Sequence, residues 1–146
     1  RLLVQNTIRE AFVNRVAELV SAARFGHPSD PATQIAPIST GPQLDKVEAY
    51  VAIAKDEGAR LVCGGERAIV PDWPNGLFYK PTIFADVNNS MRIAQEEVFG
   101  PVIAVIGFDT EEEAVACYEC IVAGSGVECD AALACWEANG CLEGGP

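Results

Sequence analysis

Hydrophobic and polar residues along the chain predict an alternation of strands and helices. Residues 1–5 form a short apolar run that is typical of a strand. Apolar residues then recur at helical spacing until Gly26 and Pro28, which end the first predicted helix. The apolar face of this helix is predicted to contain Ile8, Phe12, Val16, Leu19, Val20 and Ala23.

A second helix is predicted to begin near Gly41 and to end at Gly58. Its predicted apolar face contains Leu44, Val47, Tyr50, Val51 and Ala54. Between the two helices, residues 27–40 carry three prolines among serine, aspartate and threonine, which predicts a long loop with little regular structure.

Three further strands are predicted after the second helix. Residues 60–63 precede a pair of glycines, and residues 79–84 include Pro81, which suits an edge strand or the start of a strand. Residues 101–108 are almost continuously apolar, as in a strand covered on both faces, and Thr110 with three following glutamates predicts a helix start. The alternation predicts an α/β fold with a largely parallel sheet and flanking helices.

Composition and charge narrow the classes of partner. Of the 146 residues, 49% are hydrophobic and 21% charged, which is ordinary for a globular domain. The net charge of -11 opposes binding to phosphate backbones, so we do not expect nucleic acid as a partner. No apolar run approaches the roughly 20 residues that span a bilayer, so we do not expect a membrane partner.

The sequence begins at Arg1, without a methionine and inside a predicted strand, so we expect it to be a fragment. No secretory signal is visible, which makes a cytoplasmic location with reduced thiols the default expectation. Cys63 lies alone in an apolar strand and is predicted to be a buried core thiol.

The other five cysteines crowd into the last thirty residues and leave three interpretations open. Cys117 and Cys120 form a CxxC pair, whereas the remaining three follow at wider intervals, at positions 129, 135 and 141. A zinc site normally uses two close pairs, and a redox pair normally follows a strand in a thioredoxin-like unit. Incidental thiols are therefore the first interpretation, with a metal site and redox chemistry as alternatives.

The most unusual local feature is the acidic pair Glu96-Glu97, followed by Val98, Phe99, Gly100 and Pro101. Two adjacent carboxylates repel each other unless cations, hydroxyls or water meet them. The pair is therefore either a solvated turn or part of a binding site. His27 is the only histidine, and with no nucleophile or second ligand nearby we interpret it as a loop residue.

Several motifs, in their order and spacing, resemble the NAD(P)-dependent aldehyde dehydrogenases. The resemblance covers about residues 1–114, whereas residues 115–146 diverge. It implies that the chain is one partial catalytic domain, residues 1–146, from the C-terminal part of such an enzyme. The matching stretches are residues 1–5, 26–28, 33–37, 57–59, 63–65, 75–76, 81–84 and, most specifically, 96–102.

The resemblance implies a chemistry whose catalytic residues lie elsewhere. In this family an aldehyde joins a cysteine thiolate, a hydride passes to the nicotinamide, and the thioester is hydrolysed with a glutamate as base. The family places its nucleophilic cysteine a few residues before the stretch that begins here at Arg1. No catalytic residue and no metal ligand is therefore assigned in this chain.

For the cofactor, NAD or NADP, the resemblance implies four contacts. Glu97 would accept hydrogen bonds from the nicotinamide ribose hydroxyls, and Phe99 would pack near the nicotinamide. Gln43 and Lys46 fall where the family places polar cofactor contacts. Glu96 is expected to be structural.

The expected function is the oxidation of a small-molecule aldehyde to a carboxylic acid, by a full-length protein that forms a homo-oligomer. The chain alone is expected to be inactive. The alternative is a non-enzymatic remnant, or a small metal-binding or partner-binding module that uses the cysteine-rich end.

Overall fold

The computed structural model describes residues 1–115, so the cysteine-rich end and the three interpretations of it lie outside the described residues. The elements are β1 (Leu2–Gln5), α1 (Asn6–Ser21), α2 (Gly41–Asp56), β2 (Arg60–Cys63), β3 (Thr82–Ala85), α3 (Arg92–Gln95) and β4 (Val102–Phe108). A helical segment at residues 111–115 follows β4. The described part includes no helix long and apolar enough to cross a membrane.

The four strands form one sheet in the order β1-β4-β3-β2. β4 pairs in parallel with β1 on one side and with β3 on the other, whereas β2 runs antiparallel to β3. Thr82 begins β3 directly after Pro81, so the proline marks the start of an interior strand and not an edge strand. The predicted α/β class with a largely parallel sheet is confirmed.

Helices cover both faces of the sheet, because successive side chains of a strand point to opposite sides. On one face, Phe84 and Ile106 pack in a cluster with residues of α2 and α3. On the other face, Ile83 and Val105 pack in a second cluster with Val13 of α1. All of these residues are buried, which explains why β4 reads as an almost continuous apolar run.

The predicted apolar face of α1 is correct for Val16 and Val20, which pack against the sheet, and wrong for Ile8, Phe12 and Leu19, which are exposed. Val13 is the residue of α1 that is fully buried, whereas Ile8 and Leu19 are 55% and 58% exposed. The helix packs against the sheet through Val13 and the partly buried Val16, Ala17 and Val20. These positions form an i, i+3, i+4, i+7 stripe that overlaps the predicted one, and periodicity alone does not separate two overlapping stripes.

The second helix follows the prediction closely. All five residues of its predicted apolar face are buried. Its first turn is capped by Thr40, whose Oγ1 accepts a hydrogen bond from the backbone N–H of Gln43 at 3.3 Å. After the helix, Gly58 adopts φ +95°, the left-handed conformation that commonly follows a helix end and that glycine adopts without strain.

The structure also tests the predictions for Cys63 and for the loop between α1 and α2. Cys63 is a free thiol, but it is half-buried and not buried, because it lies at the end of an edge strand and packs on the rim of the α1 cluster. The loop between α1 and α2 has little regular structure, as predicted, apart from an isolated bridge between Phe25 and Ile35.

Candidate functional site

The acidic motif, residues 96–100, connects α3 to β4 and lies beside the first half of α2. Gln43, Lys46 and Tyr50 are spaced three and four residues apart, so that they share one face of this helix. All three side chains contact the motif. Helix α2 therefore positions the motif through these three side chains.

Two of these side chains hold the backbone of the motif. Gln43 Nε2 donates hydrogen bonds to the carbonyl oxygens of Val98 and Phe99, both at 2.8 Å. Lys46 Nζ donates to the carbonyl oxygen of Glu97 at 3.0 Å. Three successive carbonyls thus have partners on one helix, which satisfies backbone acceptors that have no strand to pair with.

The conformation of Phe99 is uncommon for a residue other than glycine. Its φ is +55°, and its side chain is exposed, with 67% of the residue accessible. Lys46 Nζ lies 5.4 Å from the centre of the ring, within the range of a cation–π contact. An exposed aromatic ring in a left-handed conformation is a feature of binding sites more than of packing.

Gly100 is required by close packing. A Cβ placed on it would lie 2.4 Å from Cγ2 of Val47, which is fully buried in α2. No side chain fits in that space without displacing the helix or the motif. The glycine therefore sets how closely the motif approaches α2.

The first carboxylate of the pair is held by two neighbours. Glu96 accepts hydrogen bonds from Arg92 Nε at 2.7 Å and from the Tyr50 hydroxyl. The hydrogen bond from Arg92, with that from Tyr50 second, lowers the pKa of Glu96 to about 2. The same carboxylate raises the pKa of Tyr50, because it accepts a hydrogen bond from the phenolic O–H. Glu96 is thus structural, as expected.

The second carboxylate is free. The side chain of Glu97 is exposed and makes no hydrogen bond or ion pair with any residue of the described part of the chain. An ionised carboxylate accepts hydrogen bonds only, so it can receive hydroxyl or amide donors from a ligand.

A cavity of about 310 Å³ opens at this motif. Its lining consists of Arg1, Ile93, Glu96, Glu97, Val98, Phe99, Gly100, Val102 and Ala104. The wall combines two carboxylates, an arginine and an aromatic ring with apolar side chains. Such a mixture suits a ligand that has both a ring and hydroxyl groups.

The structure thus brings the four predicted cofactor contacts together. Glu97 and Phe99 line the cavity with free side chains, whereas Gln43 and Lys46 use donor groups on the backbone of the motif. Their predicted contacts with a cofactor stay predictions. Sequence reasoning missed the role of Tyr50 as a partner of Glu96, although its spacing from Gln43 and Lys46 carried that signal.

A second cavity, of about 380 Å³, lies at the loop before α2. His27 and Trp73 contribute to its wall, with their ring centres 6.4 Å apart. His27 Nδ1 accepts a hydrogen bond from the backbone N–H of Ser29 at 3.2 Å, in keeping with its interpretation as a loop residue. Among residues 1–115, no group of three or more histidine, cysteine or acidic side chains could hold a metal ion.

Comparison with known proteins identifies the class. The sequence profile of the aldehyde dehydrogenase family matches residues 1–123, most of the chain. A betaine aldehyde dehydrogenase from Cereibacter sphaeroides is 52% identical over 116 residues. The chain belongs to the aldehyde dehydrogenase family, which confirms the resemblance found in the motifs.

Solved structures agree with this assignment. An aldehyde dehydrogenase from Mycobacterium tuberculosis, solved in complex with NAD+, is 50% identical with a TM-score of 0.73. A betaine aldehyde dehydrogenase from Staphylococcus aureus, also in complex with NAD+, is 41% identical with a TM-score of 0.76. Each match covers 79% of this chain. The chain spans 23% of the length of these structures and of the Cereibacter relative.

Proposed function

We propose that this chain is part of the catalytic domain of an NAD(P)-dependent aldehyde dehydrogenase, and that it supplies one wall of the nicotinamide site. The observation that carries the proposal is the free carboxylate of Glu97 beside the exposed ring of Phe99 at one cavity. The membership of the family and the NAD+ complexes of two relatives support it.

The residues of the cavity fit this half of the cofactor. Glu97 has unused acceptor capacity for the two hydroxyls of the nicotinamide ribose. The face of Phe99 is accessible and would limit how a planar ring lies against the motif. Bound there, the cofactor would accept a hydride from the substrate carbon. The residues of this chain would hold and orient it, and none of them is assigned a covalent or proton-transfer step.

The overall reaction that we propose for the whole enzyme converts an aldehyde, NAD(P)+ and water to a carboxylate, NAD(P)H and two protons. The names of the relatives make betaine aldehyde the first substrate to try. We also propose that the 146-residue chain is a fragment and catalyses nothing alone, because no nucleophile or general base is assigned within it.

The first experiment compares two polypeptides. The 146-residue chain and a longer one, extended by the in-frame sequence upstream of Arg1, are mixed with NAD+ and betaine aldehyde, and NADH is followed by absorbance. We expect NADH from the longer polypeptide only. NADH production by the 146-residue chain would refute the fragment proposal, and a start codon in place of an upstream coding sequence would favour the non-enzymatic alternative.

The second experiment tests the site in the longer polypeptide. Glu97→Gln removes the charge but keeps the shape, and a hydrogen bond to a charged group is worth about 1.5–3 kcal/mol, so the affinity for NAD+ should fall roughly tenfold to a hundredfold. Glu111→Gln, at an exposed position after β4, is the matched control and should leave the affinity unchanged. Equal affinities in both variants would contradict the proposed role of Glu97.

A further inference from the structure

The side-chain amide of Gln43 meets two successive carbonyl groups at one nitrogen. Nε2 lies 2.8 Å from the oxygen of Val98 and 2.8 Å from the oxygen of Phe99. In an extended chain, successive peptide groups point to opposite sides, so two neighbouring carbonyls do not reach one donor. They converge here because the chain turns at Phe99.

The turn at Phe99 is one that its own side chain disfavours. A φ of +55° brings Cβ close to the following carbonyl in any residue except glycine. The apolar core does not compensate for this, because the ring itself is exposed. The hydrogen bonds made by its carbonyl and by that of Val98 are therefore the contacts that retain the conformation.

We propose that Gln43 is a positioning residue, whose two hydrogen bonds hold Phe99 in the left-handed conformation and thereby fix the ring at the mouth of the cavity. The proposal rests on the proposed function only for its consequence, which is the affinity for the nicotinamide half of NAD(P). Gln43 acts through the backbone of the motif. Its amide N–H groups bind the backbone of the motif, and the ring of Phe99 lines the cavity.

Two neighbouring contacts position the motif relative to α2, and a third, the cation–π contact of Lys46 with the ring of Phe99, does not involve the backbone of the turn. Lys46 binds the carbonyl of Glu97, two residues before Phe99, and Gly100 fixes the distance of the motif from Val47. Gln43 is the side chain of α2 that bonds the carbonyl of Phe99 itself. Removing its donors should release the turn while α2, whose contacts with the core are elsewhere, stays in place.

The test follows the ring of Phe99 by fluorine NMR in the 146-residue chain labelled with 4-fluorophenylalanine. Phe99→Leu, which removes one of six signals, assigns the resonance. Gln43→Met removes both donors at similar length and helix propensity, and Gln43→Lys restores a donor. Gln5→Met, at an exposed glutamine whose side chain makes no hydrogen bond within residues 1–115, is the control.

We expect one sharp Phe99 resonance in the parent, in Gln5→Met and in Gln43→Lys, and a shifted or broadened one in Gln43→Met. An unchanged resonance in Gln43→Met would overturn the proposal. So would a shift in Gln43→Lys as large as in Gln43→Met, because restoring the donor should restore the turn. The other five phenylalanine resonances of each variant report whether the rest of the chain is folded.

The consequence for binding is measured separately, in the longer polypeptide, by titration with NAD+. Without its hydrogen bonds, Phe99 should occupy the left-handed region in about a tenth of the molecules, and the apparent affinity falls with that fraction, roughly tenfold. If the resonance of Phe99 changes as expected while the affinity does not, the positioning role stands and the nicotinamide assignment of the cavity fails.

Discussion

The close contact between the acidic motif and α2 gives the sharpest prediction about stability. In Gly100→Ala, the new Cβ would lie 2.4 Å from Val47 Cγ2, about 1 Å closer than the shortest comfortable carbon–carbon contact. Val47 is fully buried. Gly100 is itself exposed, but the new methyl group would press against a buried side chain, and overpacking of this kind typically costs about 1–3 kcal/mol, so we expect a decrease of that size in the free energy of unfolding.

The steric cost of Gly100→Ala can be separated from any effect on backbone conformation. The φ of Gly100 lies outside the left-handed region, so alanine meets a steric obstacle and no conformational one. Val47→Ala removes two buried methyl groups and should cost about 2 kcal/mol by itself. In the double variant, the methyl of Ala occupies space that Val47 has vacated, so the two costs should not add. We expect a favourable coupling of about 1–2 kcal/mol.

The assay is urea unfolding of the 146-residue chain and its variants, followed by circular dichroism. Gly41→Ala is the matched control, because no atom lies within 4 Å of the added Cβ at the start of α2. This control should be neutral or stabilise the chain by up to about 1 kcal/mol. Additive losses from Gly100→Ala and Val47→Ala would refute the argument that the glycine exists for the contact with Val47.

Three further predictions concern burial and charge. Val13→Ala should lower the free energy of unfolding by about 2 kcal/mol, whereas Ile8→Ala, at an exposed position, should change it by less than about 0.5 kcal/mol, as urea unfolding would show. The pKa of Glu96 is about 2, below that of an unfolded glutamate, so its contribution to stability is present above about pH 5 and is lost as the pH falls towards 2. Glu96→Gln should flatten that acid-side decline in a pH series of unfolding curves, by an amount reduced by solvent screening. Glu97→Gln should leave the free energy of unfolding within about 0.5 kcal/mol of the parent, because its side chain has no partner in the described residues.

The secondary structure and the fold class could be predicted from the sequence where one physical signal dominated. The apolar face of α2 was predicted correctly, because Leu44, Val47 and Val51 pack into a single cluster and no competing stripe exists. In α1, two stripes overlap, and only the sheet selects Val13 over Ile8. The short helix α3 was missed, since four residues carry no periodicity that a pattern could reveal.

The candidate site shows the same limit. The motif pointed to Glu97 and Phe99, and the structure lines one cavity with both. The hydrogen bonds that hold this motif on α2 could not be predicted from the sequence. The bond between Gln43 and the carbonyl of Phe99, for example, joins residues 56 positions apart. The left-handed turn could not be predicted either, because phenylalanine rarely adopts this conformation, whereas a glycine would have indicated it.

The acidic pair is explained by the direction in which its two side chains point. Glu96 has φ -110° and ψ 154°, an extended conformation in which successive side chains leave the backbone on opposite sides. Glu96 can therefore reach Arg92 and Tyr50, whereas Glu97, which lines the same cavity, has no such partner in the described residues. The cationic and hydroxyl donors bind Glu96 and relieve the repulsion within the pair there, whereas the side chain of Glu97 has no partner in the described residues. A single acidic residue would supply either the anchor or the free acceptor, and the site needs both.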